Sequence, residues 1–412
     1  MAGNASSEII DEMSPLPRQG GAAGGWGAVL ALTLCVSTLI ASEFMPVSIL
    51  TPIASDLHLT EGAAGQAISV SGLFAVLTSL TVSSLTAGID RRVVLLGLTV
   101  LMLLSGLLVT FAPSFAVLMA GRALLGIVIG GFWSMSAATV MRLVPRDQVP
   151  GALAMLNGGN ALATTIAAPL GSFLGQFIGW RGAFFIVVPL AAIVLVWQFL
   201  SLPSMPSDRR AIRANALALL RRREAALGIA GVTLLFMGQF ALFTYLRPFL
   251  ETTTGVSVSV LSLILLVMGL AGAVGSALIP KLIARSLRTA LVGAPAGLAL
   301  IGLALIGLGR DGLATGILLA LWGLVGTAAP VAWWTWLSRT LPDDAEAGGG
   351  LMVAAIQLAI TLGAAAGGLL FDAGGYRATF GASALILMAS AAVACVAPLR
   401  DQAADAAGRA PA

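Results

Sequence analysis

The feature that most limits what this chain can fold into is a succession of twelve apolar runs. They lie at 26–54, 63–87, 93–111, 115–140, 151–177, 182–202, 227–250, 257–280, 289–309, 313–338, 349–372 and 378–397. About twenty apolar residues in a helix cross a hydrocarbon layer of roughly 30 Å. Inside that layer every backbone N–H and C=O has to be satisfied by the chain itself, which leaves helices and closed barrels. The runs lack the alternation a barrel strand needs, so the predicted fold class is an all-α membrane protein with twelve transmembrane helices. With 58% of its residues hydrophobic and 10% charged, lipid is the solvent for most of the chain.

An even number of crossings puts both termini on one side, and the basic residues say which. Seventeen of the twenty-two Lys and Arg residues fall on the side of the N-terminus; Arg181, Arg247, Arg310 and Arg377 fall on the other, and Arg122 lies inside a span. That bias predicts cytoplasmic N- and C-termini in a bacterial inner (plasma) membrane. Residues 1–24 carry no basic stretch ahead of a short apolar core, so they read as a cytoplasmic tail and not as a cleaved signal. The expected division is a tail at 1–24, a six-helix half at 25–202, a basic cytoplasmic linker at 203–226, a second six-helix half at 227–397 and a tail at 398–412.

The net charge of +4 is not gathered on a face interleaved with aromatic residues, so no nucleic-acid partner is expected. The run from Arg209 to Arg223 reads as a surface lying near anionic membrane lipid. Cys35 and Cys395 sit in separate spans and His58 is the single histidine, so neither a disulfide, a metal site nor a cofactor is indicated.

The two halves repeat. Leu125-Gly126 and Arg142-Leu143-Val144-Pro145 recur 197 residues later as Trp322-Gly323 and Arg339-Thr340-Leu341-Pro342. Gly179-Trp180-Arg181-Gly182-Ala183-Phe184 recurs 196 residues later as Gly375-Tyr376-Arg377-Ala378-Thr379-Phe380. Matching offsets at equivalent loops predict two pseudo-symmetric halves, the layout of a transporter that rocks one half against the other.

The motifs resemble those of the major facilitator superfamily, drug/proton antiporter branch. Gly88-Ile89-Asp90-Arg91-Arg92 resembles its loop signature after the second helix, with Thr86 in place of the first glycine and Val93-Val94 in place of the later Gly-Arg. Arg122 with Gly126 resembles the fourth-helix arginine motif. Ala168-Pro169-Leu170-Gly171 followed by Gly175 resembles the fifth-helix antiporter motif, with Ala168 as a departure. Glu43-Phe44-Met45-Pro46-Val47-Ser48, Gly130 to Ala137, Ala167 to Gly175 and Gly238 to Tyr245 are similar to the purine ribonucleoside exporters within that branch. The resemblance implies export of inosine- or guanosine-like nucleosides in exchange for protons, by a monomer without a cofactor. A broader drug or sugar exporter of the same superfamily is the alternative. A membrane enzyme or sensor is disfavoured, since no intramembrane Ser/His pair and no phosphate-binding loop with its Lys-Ser/Thr is found.

Within this frame the intramembrane polar residues are the candidates. An ionised carboxylate inside a span is costly, so Glu43 is either the proton carrier or one half of a structural ion pair. Arg122 lies at a similar depth and is either its exchangeable partner or a fixed tie between helices. A nucleoside needs flat apolar surfaces for the base and amides that both donate and accept. Asn157, Asn160, Gln239 and Gln357 supply amides, and Trp133, Phe240, Phe243, Tyr245 and Trp322 supply rings; helix packing is the other reading for each. For gating, Asp90, Arg91 and Arg92 read as a latch against the second half or as a plain hydrophilic turn, while Pro169 and Gly171 mark a bend in the fifth helix. Arg247 and Glu251 read as an outer gate or as solvated flanking charges.

Overall fold

The computed structural model describes residues 22–145, 147–206, 216–341 and 345–397. The tails expected at 1–24 (save 22–24) and at 398–412 lie outside the described residues, as do 207–215 of the linker, Arg146 and 342–344.

Among the described residues there is no strand. The first half comprises α1 (Ala22–Ser48), α2 (Leu50–Asp56), α3 (Glu61–Leu85), α4 (Arg91–Thr110), α5 (Phe115–Leu143), α6 (Val149–Phe185) and α7 (Val187–Ser201). After a 3-10 turn at Ala216–Arg221 the second half follows: α8 (Arg223–Phe243), α9 (Leu246–Phe249), α10 (Val258–Arg285), α11 (Leu287–Leu308), α12 (Gly312–Thr340) and α13 (Ala345–Val396). Side-chain caps start the helices where they leave the polar zone: Thr60 accepts from the Ala63 N–H, Asp90 from Arg92, Ser257 from Val260, Ser286 from Thr289 and Asp311 from Ala314.

Among the described residues ten segments are long and apolar enough to cross a membrane, and two of them are too long to cross once. A straight helix spanning the 51 residues of Gly151–Ser201 would be roughly 75 Å long. Each long segment doubles back at a glycine: α6 at Gly179 (φ 70, ψ 171) and α13 at Gly375 (φ 64, ψ −165). Only glycine adopts that backbone readily. The two reversals give twelve crossings, and they are the loops that repeat in the sequence. In each, the following arginine lies over the ring beside it (Arg181 over Trp180 at 4.2 Å, Arg377 over Tyr376 at 5.9 Å). The same ring then meets a phenylalanine edge-on four residues later (Trp180–Phe184 at 6.3 Å, Tyr376–Phe380 at 5.9 Å).

Two spans differ from the continuous helices expected at 26–54 and 227–250, and proline is the physical reason in the first. Proline has no N–H, so a helix loses the bond to the carbonyl four residues before it. Pro52 leaves the Ser48 carbonyl without its helical donor, and the helix breaks at Ile49 between α1 and α2. The second span stops at Phe243 and continues through α9 and a π-turn at Leu250–Thr254, closed by the left-handed Gly255.

The halves meet along α3 and the first part of α13 and, as the pseudo-symmetric counterpart, along α6 and α10. Small residues allow the approach. A Cβ on Gly363 would lie 2.4 Å from the Met237 carbonyl oxygen within the second half, and one on Gly269 would lie 2.7 Å from the Thr165 carbonyl oxygen across the seam.

Candidate functional site

Midway along the seam, α1, α3, α8 and α13 bring together an apolar cluster of Val47, Ile68, Phe240, Ile360 and Ala364, edged by Phe44, Phe236, Phe243 and Ile356. Its rings are in contact: Phe44 with Phe240 at 5.7 Å, Phe236 stacked on Phe240 at 6.4 Å, and Phe243 edge-on to Phe240 at 5.7 Å. Beside Phe44 the Glu43 side chain is buried (4% exposed), and the Gln357 amide of α13 lies within hydrogen-bonding reach of its carboxyl. Gln357 is 6% exposed, and its Oε1 is buried without a partner. Glu43 belongs to the first half and Gln357 to the second, so this contact spans the boundary at membrane depth.

Arg122 is fully buried on α5 and uses its fork on four acceptors. Nε donates to the Ala67 carbonyl at 2.9 Å, Nη1 to the Ser42 carbonyl at 2.8 Å, and Nη2 to the Glu43 carbonyl at 3.2 Å and Ser71 Oγ at 3.0 Å. The Ser42 carbonyl is available because its helical donor would be the nitrogen of Pro46. Arg122 touches Glu43 through the main chain and not through the carboxylate, although its charge acts on that carboxylate from α5.

A second arginine repeats the arrangement across the halves. Arg247, 5% exposed, donates from Nη1 to the Ser48 carbonyl that Pro52 has freed, and from Nε to Glu251 at 2.8 Å. It is therefore a buried inter-half link and not a solvated flanking charge. Nearby, Asp372 accepts from Thr60 Oγ1 at 2.7 Å and from the Gly62 N–H at 3.0 Å, which ties α13 to the start of α3.

The other predicted residues are dispersed. Tyr245 is fully buried, donates to the Ala364 carbonyl at 2.8 Å and stacks on Phe371 at 5.3 Å, toward the Asp372 end of the seam. Trp322 belongs to the core of the second half, and Trp133 packs at the edge of the first-half core against Phe132. Gln239 is bound within the second half, donating to the Gly326 carbonyl at 3.1 Å. Asn157 donates to the Leu153 carbonyl of its own helix, and the Asn160 carbonyl accepts from Thr164. Pro169 is buried in α6, and Gly171 lies against Ser48 and Met45 of α1.

Asp90 accepts from the N–H groups of Arg92 and Met205 and from Ser204 Oγ. Desolvation acts against its charge, yet those hydrogen bonds and the Arg92 guanidinium hold the carboxyl below its usual range. The Arg91 N–H donates to the Met205 carbonyl, and Arg92 donates to the Phe199 carbonyl and lies over the Phe199 ring. Among the described residues these contacts reach only the first half and the start of the linker at Ser204 and Met205, and none joins Asp90, Arg91 or Arg92 to the second half.

Sequence reading missed Phe44, Phe236 and the acceptors of Arg122 and Arg247. The signal for two of those acceptors, the Ser42 and Ser48 carbonyls, was present in Pro46 and Pro52, since a proline in a membrane helix exposes one carbonyl at a known position.

Residues 30–349 match the Major Facilitator Superfamily. The chain is 54% identical, over 94% of its length and 96% of the relative, to a Pseudomonas aeruginosa protein named transcription regulatory protein OpdE. It is 42% identical, over 89% of its length and 93% of the relative, to the purine ribonucleoside efflux pump NepI of Salmonella enteritidis, and 44% identical over 84% and 88% to NepI of Escherichia coli O157:H7. Among solved structures it is similar to a bacterial homologue of the lysosomal transporter Spinster in an inward-facing, unoccupied conformation (TM-score 0.74, 15% identity, 92% of this chain and 98% of that one). It is also similar to the nucleoside transporter NupG (TM-score 0.73, 13% identity, 90% and 99%). The chain is a multi-pass membrane transporter belonging to the Major Facilitator Superfamily.

Proposed function

We propose that this transporter exports purine ribonucleosides such as inosine and guanosine in exchange for protons, by alternating access of one central site. The observation that carries the reading is the Glu43–Gln357 contact across the two halves, flanked by Phe44, Phe240 and Phe243. It combines a buried carboxylate able to hold a proton, an amide for a base edge, and aromatic faces for a planar ring. The efflux pumps at 42% and 44% identity supply the substrate class.

In this reading Glu43 carries the proton, and Arg122 keeps α1 aligned through the carbonyls it holds. Asp90, Arg91 and Arg92 form the latch of the opposite state. The tied end, which holds Asp56, Arg247 and Asp372, faces the periplasm, and the basic linker and both termini face the cytoplasm, in line with the charge bias. The conformation is then closed to the periplasm.

The test is uptake of radiolabelled inosine into proteoliposomes under an imposed pH gradient, competed with guanosine, arabinose and chloramphenicol. Gradient-dependent inosine movement blocked only by purine nucleosides is the expected result. Movement of a competitor without inosine would keep the transporter and discard the substrate.

A further inference from the structure

We infer that the substrate's ring N–H and the transported proton compete for one atom, the Oε1 of Gln357. This deepens the purine-nucleoside reading and rests on it.

The amide of Gln357 has two unlike ends and two unlike neighbours. The carboxyl of Glu43 stands within hydrogen-bonding reach, and Oε1 has no partner although the side chain is 94% buried. A buried acceptor left empty costs roughly as much as a hydrogen bond to it returns, so a ligand N–H placed there gains unusually much. With Glu43 ionised, the carboxylate can only accept. The Nε2 end of the amide then has to face it, and Oε1 is left for the ligand. A base with a protonated ring nitrogen, such as the N1–H of a 6-oxopurine, completes that acceptor.

When Glu43 takes up a proton the requirement inverts. Its O–H needs an acceptor, and the unpartnered acceptor beside it is Oε1. The two ends of an amide are nearly the same size, so a half-turn of the terminal torsion places Oε1 against the O–H and presents the NH₂ to the ligand. Two donors then face each other, and the base loses its acceptor. Arg122 from α5 is the charged group that acts on Glu43; α13 turns the neutral Gln357 to it, α8 stands behind Phe44 with Phe240, and Ser71 of α3 is engaged by Arg122. Mutual exclusion of proton and substrate, which exchange requires, thus reduces to the two orientations of one side chain.

The test is equilibrium binding of inosine and 1-methylinosine, which lacks the N1–H, to the purified full-length protein across a range of pH. For the unaltered protein 1-methylinosine is expected to bind roughly tenfold to a hundredfold more weakly than inosine, and inosine affinity to fall as pH falls. In Gln357→Met, inosine is expected to weaken to the level of 1-methylinosine and its affinity to lose its pH dependence. Equal binding of the two ligands by the unaltered protein, which needs no variant to fold, overturns the inference and leaves the nucleoside reading standing. So does a pH dependence that survives in Gln357→Met. Failure of both nucleosides to bind at any pH brings down the substrate reading and this inference with it.

Discussion

Two aspartates, one at each end of the bundle, use nearly the same donors to different effect. Asp372 accepts one hydroxyl and one backbone N–H, from Thr60 and Gly62, and those donors belong to the opposite half. Asp90 accepts one hydroxyl, from Ser204, and backbone N–H groups from Arg92 and Met205, all within its own half and the start of the linker that continues it. Chemistry of one kind makes a clasp in the first place and a brace in the second. What distinguishes a gate is whether the bond joins two bodies that move apart, because only then does breaking it change the balance between conformations. The buried arginines divide the same way. Arg122 and Arg247 each take a carbonyl freed by a proline of the first span, yet Arg122 holds helices of one half and Arg247 holds the halves together.

The largest effect is expected at Glu43, where the tied end of the seam gives way to the rest. Glu43→Gln keeps the shape and one acceptor oxygen for the Gln357 amide, but cannot take up or release a proton. Gradient-driven inosine accumulation in proteoliposomes should fall to the passive level while binding persists. Accumulation that survives would move the coupling group elsewhere, with Asp372 the first carboxylate to examine. Next comes Arg247→Met, which leaves the Ser48 carbonyl and Glu251 without their donor and should weaken closure of that end by roughly 3–5 kcal/mol. Pro52→Ala restores the N–H that Ser48 lacks, so the Arg247→Met penalty should shrink in the double variant. A thermal-melt double-mutant cycle that returns purely additive losses would remove Pro52 from this account.

Much of this was legible in the sequence, for reasons that differ by region. Twelve apolar runs dictate the crossings, and the offset between Gly179 and Gly375 marks the two reversals because only glycine turns that way. The pairing of Glu43 with Gln357 was not legible. They are far apart in the chain, and the face a helix turns to its partner cannot be read where every face is apolar. The same uniformity hid the fact that Trp322 packs into a core and Tyr245 into the seam, since a ring in an apolar helix has no polar face to betray its direction. For Arg247 the sequence left an outer gate and a flanking charge both open, because its acceptor is a carbonyl four residues before a proline on another helix, a relation that becomes visible only when α1 and α9 are placed side by side.

A smaller effect is expected at the clasp itself. Asp372→Ala removes partly exposed bonds to Thr60 and Gly62, worth about 1–2 kcal/mol together, and so should favour opening of that end by about fivefold to thirtyfold. Spin labels at Glu61 and Ala373, read by electron–electron distance measurement, should gain a longer component. An unchanged distribution would mean that Arg247 and the apolar cluster hold the end alone.

The smallest is at the brace. Asp90 binds its proton more weakly in the folded protein than in the unfolded chain, because the donors around it and the Arg92 charge favour the carboxylate. In acid the unfolded chain therefore holds more protons, and stability rises with pH there. The contribution of Asp90 is fully present above the ordinary aspartate value of about 3.9 and is lost as pH falls through the lower folded value. Asp90→Asn should melt slightly lower than the unaltered protein at neutral pH, and the gap should close as the pH drops below about 4. Because Asp90 braces one half, the spin-label distances across the Asp372 end should not respond to the substitution. If they lengthen, the two ends are coupled through the first half, and the division between brace and clasp fails.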